Sequence, residues 1–238
     1  MAIYYVRNDG NDANTGLGST TALAWRTVQK ALGATGIGSG DTVYIAPGVY
    51  RENVTIAGTY TAATYIIGDP TAAQFAGVSQ GLVRLTNYLT TDTASPSGVI
   101  VVTNNKNYLN ISNLYFDGAA TMLGLTNSNN CVVENCAFIG SSLSASFGIT
   151  GSFSTGITVN NVIRKCIFMT GGHSIYCEVG ANHTSDWSIG LTIQDCAFIG
   201  SSPVTASSPA IRLGRTTGVA NLAGGIHRME DIYRMGAY

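Results

Sequence analysis

One short phrase recurs in this chain at a fixed spacing. Residues 131–140 read CVVENCAFIG, residues 161–171 read NVIRKCIFMTG, and residues 191–200 read LTIQDCAFIG. Their central cysteines, Cys136, Cys166 and Cys196, follow one another at intervals of thirty residues. A more degenerate copy, YLNISNLYFDG, fills residues 108–118 and sets Phe116 twenty-two residues before Phe138. A period in this range is the mark of a solenoid, in which each repeat leaves an apolar face that only the next repeat covers.

The phrase also specifies the kind of solenoid. Each Phe lies two residues after its Cys, so in extended chain the pair Cys136 and Phe138, and its two copies, point to one side. Val133, Ile163 and Ile193 stand three residues before each cysteine, an odd offset that requires a bend between two short strands. The polar pairs Glu134–Asn135, Arg164–Lys165 and Gln194–Asp195 mark that bend. Further strands are predicted over 99–102, 123–126, 147–150, 174–179 and 210–213, with Gly, Ser, Asn and Thr turns between them. About three short strands per period leave no room for a helix. The fold expected is all-β: a right-handed single-stranded parallel β-helix.

A polar surface built almost without charge fits this reading. Charged residues are 11% of the chain, against roughly 25% in an average soluble domain. Outward rows of Asn, Ser, Thr and Gly stack on their own copies without like-charge repulsion. A net charge of −1 argues against nucleic acid as a partner. The mean hydropathy of +0.19 comes with no apolar run of membrane-spanning length, so no membrane role is expected. Residues 1–8, MAIYYVRN, show no basic stretch leading into an apolar segment, which predicts a chain made without a signal peptide.

The five cysteines are an odd number, and the period sets three of them in one inward file. Stacked side chains point the same way and not at each other, so free buried thiols are expected in place of disulfides. CVVENC lacks the short spacing of a sulfur metal site and no histidine follows the period, so no metal and no cofactor are predicted.

The start of the chain differs. Trp25, Val28 and Leu32 follow helical spacing across AWRTVQKALG, with Gly33 just beyond, which predicts a helix of about two turns capping the first coil. Residues 40–50 then read as strand, turn, strand. One domain over 1–238 is expected, with strand and capping helix in 1–40, regular coils in 41–213 and an irregular last coil or cap in 214–238.

The opening YYVRNDGNDANTGLGSTTALAWRTVQKAL, then GDTVYIAPGVYRENVTI, then the repeated I-x-x-C-x-F-x-G phrase resemble parallel β-helix proteins of the pectin-lyase-like superfamily. The resemblance covers about residues 3–200. It implies a fold shared by polysaccharide lyases and hydrolases and by bacteriophage tailspikes, fibres and other virion components. It further implies that the lyases hold calcium between acidic residues and use an Arg or Lys base, whereas the hydrolases use clustered aspartates. The chain departs from the pattern after Ile211: GIHRMEDIYRMG puts Met229 at the Ile position, Ile232 at the Cys position and Arg234 at the Phe position.

Residues at equal offsets from the Phe become neighbours one coil apart. Glu134 then faces Arg164, and Lys165 faces Asp195, an opposite-charge ladder rather than a shared acid site. Two places are candidate sites. Asp195, Glu230 and Asp231 form an acid cluster if the last coil keeps register. Tyr176 and Arg212, in an outward row with Thr150 and near Glu178 and His173, offer an aromatic face with flanking charges to a sugar. No catalytic residue is assigned.

Two functions follow. The first is a structural component of a bacteriophage particle, a capsid decoration, fibre or tail protein. Such a chain would assemble as a homotrimer with other virion proteins, be made in the host cytoplasm and reside in the virion. The alternative is a β-helix protein that binds or degrades polysaccharide, a cell-surface polysaccharide included. If rods lie side by side, apolar outward residues should gather on one flank.

Overall fold

The computed structural model describes residues 1–88, 99–103, 105–118, 121–140, 147–153, 158–170, 174–179, 188–199, 211–215, 227–230 and 233–235. Among them the strands stack into three parallel sheets, and the chain visits the three in turn once per coil. This is a right-handed parallel β-helix. The first sheet runs Ile3–Val6, Thr42–Ile45, Thr64–Gly68, Leu109–Ser112, Val132–Glu134, Thr158–Arg164, Ser188–Gln194 and His227–Glu230. The second runs Gly48–Arg51, Val83–Thr86, Tyr115–Gly118, Ala137–Gly140, Ile167–Met169, Ala197–Ile199 and Tyr233–Met235. The third runs Val54–Thr55, Val99–Val102, Thr121–Gly124, Phe147–Phe153, Ile175–Val179 and Ile211–Arg215.

The register is the one the repeat demands. Phe116, Phe138, Phe168 and Phe198 occupy successive rungs of the second sheet. Their rings stack inside the coil with centroids 4.9, 4.9 and 5.0 Å apart and nearly parallel planes. Burying such a ring contributes about 2–3 kcal/mol. Room for it is made on the opposite wall: a Cβ on Gly148 would meet the Phe168 ring at 2.9 Å and Ser174 O at 2.5 Å. Upstream, the same rungs hold Leu85 and Tyr50, and downstream Arg234 takes the Phe position, as the sequence register requires.

The bend between first and second sheets has a specific backbone cause. Asn113, Asn135, Lys165 and Asp195 occupy equivalent places and all have positive φ, from 51° to 59°. Asn and Asp tolerate that left-handed conformation better than most residues. The cysteine that follows each bend at the last three of these places turns its thiol back onto it. Cys136, Cys166 and Cys196 donate to the carbonyls of Glu134, Arg164 and Gln194 at 3.3, 3.2 and 3.2 Å.

Three details correct the sequence reading. The helix has one turn and a half, Val28–Leu32, instead of about two turns. Thr27, in extended conformation, caps it by accepting from Lys30 N, so Trp25 lies outside the helix. Trp25 instead bridges Val6 and stacks on Tyr4 at 5.0 Å. Second, the strand expected over 123–126 is Thr121–Gly124, and Leu125 closes its ladder with an N–H to Thr150 O at 2.7 Å. Third, Lys165 does not pair with Asp195: its Nζ reaches Glu134 Oε1 at 3.3 Å, back across the preceding rung. Left-handed backbone at both residues turns the side chains away from the simple row geometry.

Candidate functional site

The third sheet carries the predicted aromatic row. Gly124, Thr150, Tyr176 and Arg212 pair in register, one residue per coil, and Ser152, Glu178 and Gly214 form the next such row. Strand alternation explains the position of Tyr176, since Ile175 and Cys177 on either side of it are buried in the core. Tyr176 itself is half-buried. The backbones of Glu178 and Arg212 are placed at these positions; their side chains, and all of His173, lie outside the described residues. An aromatic face with a guanidinium-bearing residue on the next rung and a carboxylate-bearing one two positions along is chemistry suited to a sugar ring with acidic or hydroxyl substituents.

The acid cluster is less complete. Asp195 sits exposed at its bend, and Glu230 pairs with Gln194, one position before it. Asp231 lies outside the described residues. Among the described residues no group of three or more His, Cys, Asp or Glu side chains stands close enough to hold a metal ion. The charge ladder is instead a three-membered ion pair around Glu134, which accepts from Arg164 Nη2 at 2.7 Å as well as from Lys165. The Arg164 hydrogen bond, followed by that of Lys165, holds the Glu134 carboxyl below its usual range.

All five cysteines are free and buried. Burial pushes the Cys131 thiol up to about 11 and the Cys177 thiol up to about 12. In the inward column, Cys166 and Cys196 are raised as well, chiefly by hydrogen bonding to the neighbouring thiol. Buried in this way, the thiols pack as small apolar fillers of the core.

Two further outward surfaces are aromatic or apolar. On the first sheet Tyr5, Tyr44 and Tyr65 are half-exposed on successive coils, and Phe75 meets Tyr5 edge-on at 5.8 Å. Their strands, IYYV, TVYI and TYIIG, are spaced irregularly in sequence, so only the spatial register aligns them. On the second sheet, the outward positions Ala137, Ile139, Ile167, Met169, Ala197 and Ile199 form an apolar ladder, with Ile167 46% exposed. Upstream the same face is charged, with an Arg84–Asp117 ion pair beside Tyr115.

No protein-family model matches the chain, and no curated protein matches its sequence. Solved structures do match. A rhamnogalacturonan lyase aligns over 98% of this chain and 68% of its own, at a TM-score of 0.50 and 14% identity. A pectin methylesterase from carrot aligns over 98% of this chain and 82% of its own, at a TM-score of 0.52 and 17% identity. The chain shares their parallel β-helix fold. At such identities the likeness is one of backbone, so the site must be argued from its own residues.

Proposed function

We propose that this β-helix binds an acidic polysaccharide along its third sheet. The observation that carries the proposal is the register row Thr150–Tyr176–Arg212, which stacks an aromatic residue and a cationic one on adjacent rungs. Sugar rings lay their C–H faces on tyrosine, and a guanidinium takes a uronate carboxylate in bidentate fashion. The names of the structural neighbours, a rhamnogalacturonan lyase and a pectin methylesterase, support polysaccharide as the ligand class. The test is affinity electrophoresis through gels containing polygalacturonate. Retardation should occur at low salt and weaken about tenfold or more in Tyr176→Ala and in Arg212→Ala. Unchanged migration of the wild-type protein sinks the proposal. New chain ends that appear with the wild-type protein and not with Asp195→Asn would make the protein a depolymerase as well.

A second reading is favoured by a different observation. The uncharged ladder from Ala137 to Ile199 is the kind of flank on which rods pack side by side. It supports side-by-side assembly, which is what a homotrimeric decoration, fibre or tail protein of a bacteriophage particle would require. Sedimentation tests it: a trimer that Ile167→Lys converts to monomers supports this reading, and a wild-type monomer at all concentrations excludes it.

A further inference from the structure

The first sheet presents a second surface with a different chemistry. Eight outward register positions cover its first four coils: Ile3, Thr42, Tyr65 and Asn110 in one row, and Tyr5, Tyr44, Ile67 and Ser112 in the other. None bears a charge; the next rungs of the second row are Glu134 and Arg164, already paired with each other. Tyr5 and Tyr44 are direct neighbours with rings 6.2 Å apart and inclined by 28°, and Tyr65 lies diagonally across from Tyr44. Diagonal neighbours on a sheet remain within reach of long aromatic side chains.

The floor has a wall. After Gly68 the chain leaves the sheet, and Phe75 returns against Tyr5 with only 3% of its surface exposed. The excursion is fixed by the buried Asp69, whose carboxylate accepts from Thr71 Oγ1 at 2.8 Å and Gln74 N at 2.7 Å. Two backbone bonds, Asp69 N to Ile45 O and Gly81 N to Pro70 O, close it at both ends. Among the described residues, the hydroxyls of Tyr5, Tyr44 and Tyr65 bond to no protein group, whereas the inward Tyr50 donates to Ala46 O at 3.0 Å. Three part-exposed phenols with unengaged hydroxyls therefore share one rigid shelf, with Asn110 and Ser112 as neutral hydrogen-bonding neighbours.

We infer that this shelf is a separate carbohydrate-binding surface for a neutral glycan laid along the solenoid axis. Rings supply C–H stacking, hydroxyls and the Asn110 amide orient the sugar, and the lack of a guanidinium or ammonium at these eight positions disfavours an acidic polymer. The inference is independent of the row around Tyr176.

The experiment is affinity electrophoresis of the full chain through gels containing hydroxyethyl cellulose, dextran, galactomannan or arabinogalactan. Binding to at least one is expected, and it should persist in about 0.5 M NaCl, where charge attraction is screened. Tyr44→Ala/Tyr65→Ala should weaken it about tenfold or more, while Tyr44→Phe/Tyr65→Phe, which keeps both rings, should weaken it far less. Thermal unfolding followed by circular dichroism establishes that both double variants are folded. No retardation in any of the four gels overturns the inference, as does retardation that survives loss of both rings. A change of sedimentation in Tyr44→Ala/Tyr65→Ala would make the shelf a protein interface and overturn it too. Failure here with polygalacturonate binding intact removes the shelf alone; the converse removes only the reading of the third sheet.

Discussion

The regular coils and the N-terminal cap reach the same stability problem by opposite routes. From Phe116 to Phe198 each coil is held by a side chain like that of its neighbour, stacked at about the spacing of the strands themselves. In the cap nothing repeats. Arg7, almost fully buried, is tied to Asp9 by two bonds and to Ser19 O by a third. Asp12 accepts from Arg26 N, Thr27 N and Thr27 Oγ1, and Glu52 clasps the N–H groups of Val28 and Gln29 at the start of the helix. A coil in the middle of a solenoid has a template on both sides, whereas the first coil must be closed by contacts specific to it.

The largest effect is expected in the column. Phe168→Ala removes a ring stacked on both faces and should destabilise the protein by about 3–5 kcal/mol in urea unfolding. A loss below about 1 kcal/mol would mean that the stack follows the fold and does not hold it together. Glu52→Ala tests the cap. It leaves two helix N–H groups without their acceptor, but it also removes a carboxylate whose pKa is raised by burial, so the net cost should be about 1–2 kcal/mol. The comparison predicts where that loss appears. Amide hydrogen exchange should quicken over Val28–Leu32 and stay unchanged at Ile163 and Phe168. Equal quickening in both regions would show that the cap and the coils are one cooperative unit.

The column was legible in the sequence because repetition makes three-dimensional neighbours visible as a period. Cys136, Cys166, Cys196 and their phenylalanines needed only one assumption, that equal offsets stack. The outward row Thr150–Tyr176–Arg212 needed the strand pattern as well, because these residues stand 12, 8 and 14 places after Phe138, Phe168 and Phe198. The aromatic shelf was not legible in either way, because Tyr5, Tyr44 and Tyr65 belong to coils of unequal length, and register there is set by excursions such as the one that carries Phe75. The Trp25 error has a similar origin: an apolar residue at helical spacing was used by a strand bridge to Val6 instead. Side-chain direction at the bends was hidden for another reason, since no period reveals a left-handed backbone. Lys165 is the instructive case. It stands where Asn113 and Asn135 stand, with φ of 53°, and a long side chain gains nothing from that conformation. Lys165→Asn should therefore stabilise the protein by about 1 kcal/mol, measured by thermal unfolding, despite losing the contact with Glu134. Destabilisation would show that the ion pair outweighs the backbone.

The smallest effect sharpens the same comparison from the outside of the coil. Glu134 bridges Arg164 and Lys165 across a rung, but these partners are 43% and 55% exposed, so solvent screens the attraction. Glu134→Gln should cost only about 0.5 kcal/mol at neutral pH. The sign of its pH dependence is fixed by the direction of the shift. Hydrogen bonding to Arg164, then to Lys165, depresses the carboxyl in the folded chain, so the stabilisation is complete above the unfolded value of about 4.3 and disappears as pH falls through the folded one. The gap between wild type and Glu134→Gln should accordingly be constant from neutral pH down to about 5 and close in more acidic solution, and it should also shrink in high salt. A gap that widened on acidification would require the carboxyl to be protonated more readily in the folded chain than in the unfolded one. That outcome would place the outward charges alongside Glu52 in the cap, where burial dominates, and would erase the distinction between a solvated ladder on the coils and a desolvated clamp at the end.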